Sequence, residues 1–409
     1  MLTLATSGEA AAQGPLTRLS RNEAVSLAGR ANPMVRAKEL EHQAVGANEA
    51  TAALRPNPTL GLGAEQIAPG GPKAGGDAMA IAQYTVSLGQ TIELGGKRGR
   101  RMESARAATQ VSGYELADVR RQVLYQVKKS FSDAQTARES LALAEQHLAA
   151  LDEVERLQRI RAEKGDLSEL ELLRIQVQRF AFERDAVDAR QALRAVRIAL
   201  RSALGRDILA EDFEIVGELS AREFTVTSTD LYRLALANRP DLGGAEAARK
   251  KAEADIKLAR ANAWTDITPG IEYQRLGPDN TIGFVVSLPL RIFDRNQGEI
   301  ARTQADAKRA AAAREALAIQ ALSEVDTALG ALRAEWEKLT VLRGTYLPKA
   351  RQARDTVEFA YRRGGMSLLD YLDAQRTYRD TAAECLRSLG SYWTSFYQLE
   401  TAVGGSPEK

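Results

Sequence analysis

The stretch "GDLSELELLRIQ" at Gly165–Gln176 returns later as "GGMSLLDYLDAQ" at Gly364–Gln375. Both begin with Gly, place Ser three residues on and an acidic residue three further, and end on Gln. They lie 199 residues apart, and "SALG" (Ser202–Gly205) and "TAVG" (Thr401–Gly404) keep the same spacing. "EAVSLAGRANP" (Glu23–Pro33) returns as "DLYRLALANRP" (Asp230–Pro240) at a shift of 207, and "SLGQTIELGGKRGRR" (Ser87–Arg101) as "SLPLRIFDRNQGEIA" (Ser287–Ala301) at 200. Self-similarity kept in order over this length makes residues from about 19 to 205 and about 226 to 404 two copies of one unit.

Each copy changes period from helical to strand-like and back. The expected organisation is a residual signal-peptide-like segment at 1–12, a first repeat at 13–205, a linker or equatorial segment at 206–229, a second repeat at 230–404 and a tail at 405–409. Each repeat reads as a helix, a β-hairpin (about 56–90, then about 265–290) and a long helical hairpin (about 98–205, then about 298–404). Ala10, Ala11 and Ala12 before Gln13 resemble the small-residue cleavage site of a secretory signal, without its basic beginning.

Composition narrows the class. Among 409 residues only 6% are aromatic, while Ala, Leu, Arg, Glu and Gln fill long stretches, the balance of extended helices. Net charge is +2 with both signs interleaved, which argues against a nucleic-acid partner. Cys385 is the single cysteine, and His42 and His147 stand alone in separate helical segments, so no thiolate cluster or HExxH spacing exists. No catalytic residue, metal site or cofactor is expected. Runs of about 18 apolar residues are missing, which leaves a β-barrel as the way to span a membrane.

The strands alternate. Leu60, Leu62 and Ala64 oppose Gly61 and Gly63; Tyr84, Val86 and Leu88 oppose Gln83, Thr85 and Ser87; Ile271 and Tyr273, then Phe284 and Val286, continue the apolar face. A half-buried soluble hairpin alternates in the same way. Four strands cannot close a lipid-embedded barrel, since known barrels need about eight or more. A membrane reading therefore needs several chains to pool their strands. In the helical stretches, Leu322, Val325, Leu329, Leu332, Trp336 and Leu339 follow heptad spacing, and Leu193, Val196 and Leu200 repeat it on a returning helix. Pro348 is expected to interrupt the second long helix, which otherwise runs from about Ile300 to Arg363.

With "YRRGGMSLLDYLDAQRTY" (Tyr361–Tyr378) as its best-matching stretch, the chain resembles the TolC family of outer-membrane efflux channels. "QTIELGGKRGRR" (Gln90–Arg101) and "LPLRIFDRNQGEI" (Leu288–Ile300) resemble the CzcC-type channels of heavy-metal pumps within that family. The resemblance implies a mainly α fold with membrane β: a homotrimer with a shared 12-stranded β-barrel in outer-membrane lipid and an α-barrel of coiled-coil hairpins in the periplasm. It implies a passive exit duct, coupled through a periplasmic membrane-fusion adaptor to an inner-membrane RND transporter. Heavy-metal cations such as cobalt, zinc or cadmium would be the cargo. A TolC-type channel for drug efflux or type I secretion is the alternative, and a periplasmic coiled-coil adaptor a more distant one.

Carried over by position, Gly165, Gly364 and Gly365 become the hairpin tips at the periplasmic end. Asp370 and Asp373, with Glu171 in the first copy, become acidic side chains of the entrance, and Tyr361 a residue that holds it closed. Asp370 and Glu171 also lie near helix N-termini, where negative charge is favourable in any case. Leu60, Leu62, Tyr84, Val86, Ile271, Tyr273, Phe284 and Val286 become the lipid-facing barrel residues.

Overall fold

A computed structural model of the chain describes residues 16–67, 82–164, 169–205 and 208–407. In order the elements are β1 (Leu16–Leu19), α1 (Arg21–Ala31), α2 (Pro33–Ala53), β2 (Thr59–Glu65), β3 (Gln83–Gly89), α3 (Lys97–Glu163) and α4 (Glu169–Leu204). Then follow β4 (Leu209–Ile215), α5 (Ser228–Asn238), α6 (Pro240–Asn262), β5 (Thr268–Leu276), β6 (Asp279–Ser287), α7 (Gln297–Val341), a π-helical turn (Leu342–Tyr346), α8 (Leu347–Arg362) and α9 (Leu368–Ala402). Local chemistry sets the same boundaries twice. Ser20 caps α1 by accepting from the Glu23 backbone and donating its own N–H to the Glu23 carboxylate at 2.8 Å. Thr227 caps α5 through the Asp230 N–H, and Pro33 and Pro240 open α2 and α6.

The described residues pack as two compact units, one from residues up to 38, 117–239 and 319 onward, the other from 39–116 and 240–318. Each unit draws on both repeats. The second unit holds an antiparallel sheet in the order β2-β3-β5-β6, so β3 and β5 join the two repeats. Its register stacks Leu60, Leu88, Ile271 and Phe284 in one cross-strand row and Leu62, Val86, Tyr273 and Ile282 in the next, all exposed. The opposite face carries Gly61, Ser87, Glu272 and Gly283, then Gly63, Thr85, Gln274 and Thr281. The turn between β5 and β6 is only Gly277 and Pro278, because Leu276 already pairs with Asp279 and Gly277 adopts a φ of +55°. Most of the first hairpin's loop lies outside the described residues.

In the first unit the heptad reading holds: Val325, Leu329 and Leu332 join Tyr392 and Leu399 of α9 and Leu231 of α5 in one buried cluster. The second long helix is not continuous. Pro348 has no N–H to donate back one turn, and the chain accommodates it with the π turn immediately before α8. The segment read as a linker contains β4, which pairs in parallel with β1. The partner strand lies near the far end of the sequence, so short-range patterning could not announce the pair. Beyond β4, the strap at 216–222 is held by Trp393, whose Nε1 donates to the Ser220 carbonyl at 3.0 Å.

Buried in the same unit, His147 on α3 packs edge-on to Tyr378, with its ring centroid 5.5 Å away and its Nε2 without a hydrogen-bond partner among the described residues. Burial, reinforced by Arg354 on α8 and Arg379 on α9 and opposed by Asp185 on α4, pushes its pKa down to about 4. The unfolded chain takes up this proton near the ordinary value of about 6.5, while the folded chain resists it. The stabilisation is therefore complete above pH 6.5 and is lost as the pH falls toward 4, by on the order of 3 kcal/mol. Thermal melts of a His147→Phe variant should lose less stability between pH 7 and 4.5 than wild type. An equal loss in both would remove His147 as the cause.

Candidate channel entrance

The end of α3, the start of α4, the end of α8 and the start of α9 come together around one buried cluster: Leu151, Val154, Ile175, Phe182, Tyr361, Leu368 and Tyr371. The turn between α8 and α9 is closed by the backbone. Gly364 N donates to the Tyr361 carbonyl at 3.0 Å and Gly365 N to Ala360 at 2.9 Å, with Gly364 at a φ of +77°. An added Cβ at Gly364 would meet nothing within 4 Å, so the glycine serves the backbone conformation alone. Gly165, the expected tip of the first copy, lies outside the described residues.

Tyr361 is buried at the end of α8 and stacks on Tyr371 of α9, with centroids 5.0 Å apart and planes 18° from parallel. Its hydroxyl accepts a hydrogen bond from Nε2 of Gln158 on α3, itself only 2% exposed, so one side chain links three helices. Burial raises the phenol above its ordinary value, Arg161 opposes that rise, and the Glu171 carboxylate adds to it. The structure thus brings Tyr361 and Glu171 into one electrostatic neighbourhood.

Asp370 is exposed and completes the capping box of α9: Ser367 donates to its carboxylate from Oγ at 2.6 Å and from N at 3.1 Å. The Ser367 hydroxyl and then its backbone N–H hold the Asp370 carboxyl below the usual range, so it stays charged. Asp373 is exposed one turn further along α9. Residues three apart share one side of a helix, so the two carboxylates stand on the same flank.

Sequence reading missed a second polar group in this region. Glu155 on α3 is nearly buried, and Arg179 of α4 and Arg159 reach it at 2.9 and 2.8 Å. Burial opposes the charge, yet Arg179, Arg159 and Gln176 together hold the carboxyl below its ordinary value. Glu155 and Gln158 stand three apart on an otherwise apolar flank, and that spacing was the available signal. The barrel candidates Leu60, Leu62, Tyr84, Val86, Ile271, Tyr273, Phe284 and Val286 are all exposed on one side of the sheet.

Comparison with known proteins accounts for these features together. The chain matches the family described as Outer membrane efflux protein over residues 24–206 and 231–405, which follows the two repeats. It is 28% identical over 401 residues to the cobalt-zinc-cadmium resistance protein CzcC of Cupriavidus metallidurans, covering 96% of this chain and 91% of that protein. It is also 28% identical over 320 residues to the nickel-cobalt-cadmium resistance protein NccC of Alcaligenes xylosoxydans xylosoxydans, covering 73% of this chain and 66% of that one. A solved structure of CusC superposes with a TM-score of 0.78 at 20% identity, covering 98% of this chain and 95% of that one. The repeats, the four-stranded sheet with its apolar face and the long helical hairpins thus place the chain in the outer membrane efflux protein family, as an outer-membrane channel component with its helices in the periplasm.

Proposed function

We propose that the chain is the exit duct of a heavy-metal efflux system. Three copies form the channel, and a periplasmic adaptor joins it to an inner-membrane RND transporter. The observation that carries this reading is the nearly full-length similarity to CzcC, whose name declares cobalt, zinc and cadmium resistance. The duct supplies no energy; it offers a path across the outer membrane for divalent cations such as cobalt, zinc or cadmium.

The charge at the entrance fits such cargo. Asp370 and Asp373 on one flank of α9, with Glu171 on α4, put carboxylates from each of three chains around one axis. Clustered carboxylates attract cations and disfavour anions. A strain lacking the gene, grown on zinc, cobalt, cadmium, nickel, copper and silver salts, should lose resistance to some of these metals and regain it from a plasmid copy. Unchanged metal resistance together with new sensitivity to organic compounds would replace this reading with a drug-efflux duct.

A direct prediction concerns the ring. Asn at both Asp370 and Asp373 keeps the shape and the accepting oxygen of the capping box and removes two charges per chain. In planar bilayers the double variant should keep its assembly, lose cation selectivity and lose block by trivalent cations. The loss should shrink as salt rises, because the Debye length falls from about 30 Å at 0.01 M to about 3 Å at 1 M. Unchanged selectivity and block would leave Asp370 as a helix-capping residue and Asp373 as an exposed carboxylate without a part in selectivity.

A further inference from the structure

Among the described residues the sheet ends on two unpaired edges, β2 and β6, and its internal seam shows how to close them. Between the repeats, β3 pairs with β5 so that Gln83 faces Leu276 and Gly89 faces Gly270. The seam continues past the strands: Gln90 N donates to the Pro269 carbonyl at 3.0 Å, and Ile92 and Ile267 exchange bonds of 2.8 and 3.2 Å. In the second repeat nothing comparable happens among the described residues. The β5–β6 ladder ends at Thr268 and Ser287, and Leu288, Leu290 and Ile292 beyond it are 50%, 74% and 60% exposed.

The two hairpins are superposable in register. Moving β2 forward by 207 residues and β3 by 200 turns the pair Gly61–Ser87 into Thr268–Ser287, which is observed. The same shifts applied to the internal seam map β3 onto β6 and β5 onto β2. We propose that β6 of one copy pairs antiparallel with β2 of the next, so that the residue numbers of each facing pair add up to 352. Leu290 N then donates to the carbonyl of the partner's Leu62, and Ile292, whose N–H in the single chain donates to the Leu290 carbonyl at 3.0 Å, gives up that bond to exchange two with the partner's Leu60. This seam rests on the multichain reading above and adds its register.

Two independent features agree with it. Leu288, Leu290 and Ile292 face the partner's Ala64, the partner's Leu62 and the partner's Leu60, an apolar row continuous with the exposed face of the sheet. Ser287, Pro289 and Arg291 face the partner's Glu65, the partner's Gly63 and the partner's Gly61 on the polar side. A slip of one residue would set each apolar side chain against the wrong face. Pro289 also fits: seam bonds fall at the even positions, as at Gln90 and Ile92, so its missing N–H breaks none of them.

Paired cysteines test the register. In a Cys385→Ser background, which removes the single cysteine, Ser287→Cys with Glu65→Cys joins a pair outside the hydrogen-bonded positions, where Cα atoms approach to about 4.5 Å, close enough for a disulfide. Within one chain the two sites are separated by β3 and β5, at least three strand spacings or about 14 Å, and lie at opposite ends of the sheet, too far to bridge. Oxidised outer membranes should yield covalent dimers and trimers on non-reducing gels. Yields should be at least several-fold above those from Ser287→Cys with Gly63→Cys, which sits two residues out of register. Stronger linking by that second pair, or no linking by either in a protein of trimeric mass, would overturn the register and leave the trimer standing. A monomeric mass in detergent without linking would overturn both.

Discussion

Phe284→Lys should prevent stable assembly in the outer membrane, while Lys at Gln83 or Thr85 should be tolerated. Phe284 is 83% exposed in the sheet and stands in one apolar row with Ile271, Leu88 and Leu60. On a lipid-facing surface near the bilayer midplane a lysine costs about 2–4 kcal/mol per chain. Three chains closing one barrel would each bear that cost. Gln83 and Thr85 lie on the other face, where an ammonium remains hydrated. The fraction of heat-sensitive oligomer extracted from outer membranes measures the difference. Equal loss in both sets would mean that the two faces are assigned the wrong way round.

Tyr361→Phe should open the entrance without unfolding the hairpins. Phenylalanine keeps the stack on Tyr371 and removes only the hydroxyl to which Gln158 donates. Oε1 of Gln158 is already buried without a partner among the described residues, so the variant leaves the whole amide unpaired. Leaving a buried polar group unsatisfied costs about 1–3 kcal/mol. If that link holds the helix ends together, the open population rises by about one to two decades, at about 1.4 kcal/mol per tenfold. Single-channel recordings should show longer open times, and cells should become sensitive to large antibiotics. Adding Gln158→Leu to Tyr361→Phe removes both polar partners and should restore stability. Channel opening that persists in this double variant would separate gating from mere destabilisation; normal conductance in the single variant would remove Tyr361 from the gate.

Much of the fold follows from short-range pattern. The alternation at Leu60–Ala64 and at Ile282–Val286 has a period of two, and the heptad from Leu322 to Leu339 a period of 3.5, so each element type is written within its own residues. The repeat is a property of the string itself. Ser20 with Glu23, Thr227 with Asp230 and Ser367 with Asp370 set helix starts three residues away, within reach of a side chain. Pro348 announced an interruption because a missing N–H is a local fact, although the π turn that absorbs it was not spelled out.

Contacts across long stretches of chain were settled only by packing. Gln158 and Tyr361 meet although 203 residues separate them, and no pattern around either names the other. The parallel pairing of β1 with β4 joins residues near 16 to residues near 209, and Arg179 reaches Glu155 from the other arm of a helical hairpin. Such partners depend on where whole helices lie, which is the outcome of burying apolar surface over the entire chain. Local periodicity says which face of a helix turns inward, whereas the neighbour it meets there is chosen by the packing of all the others.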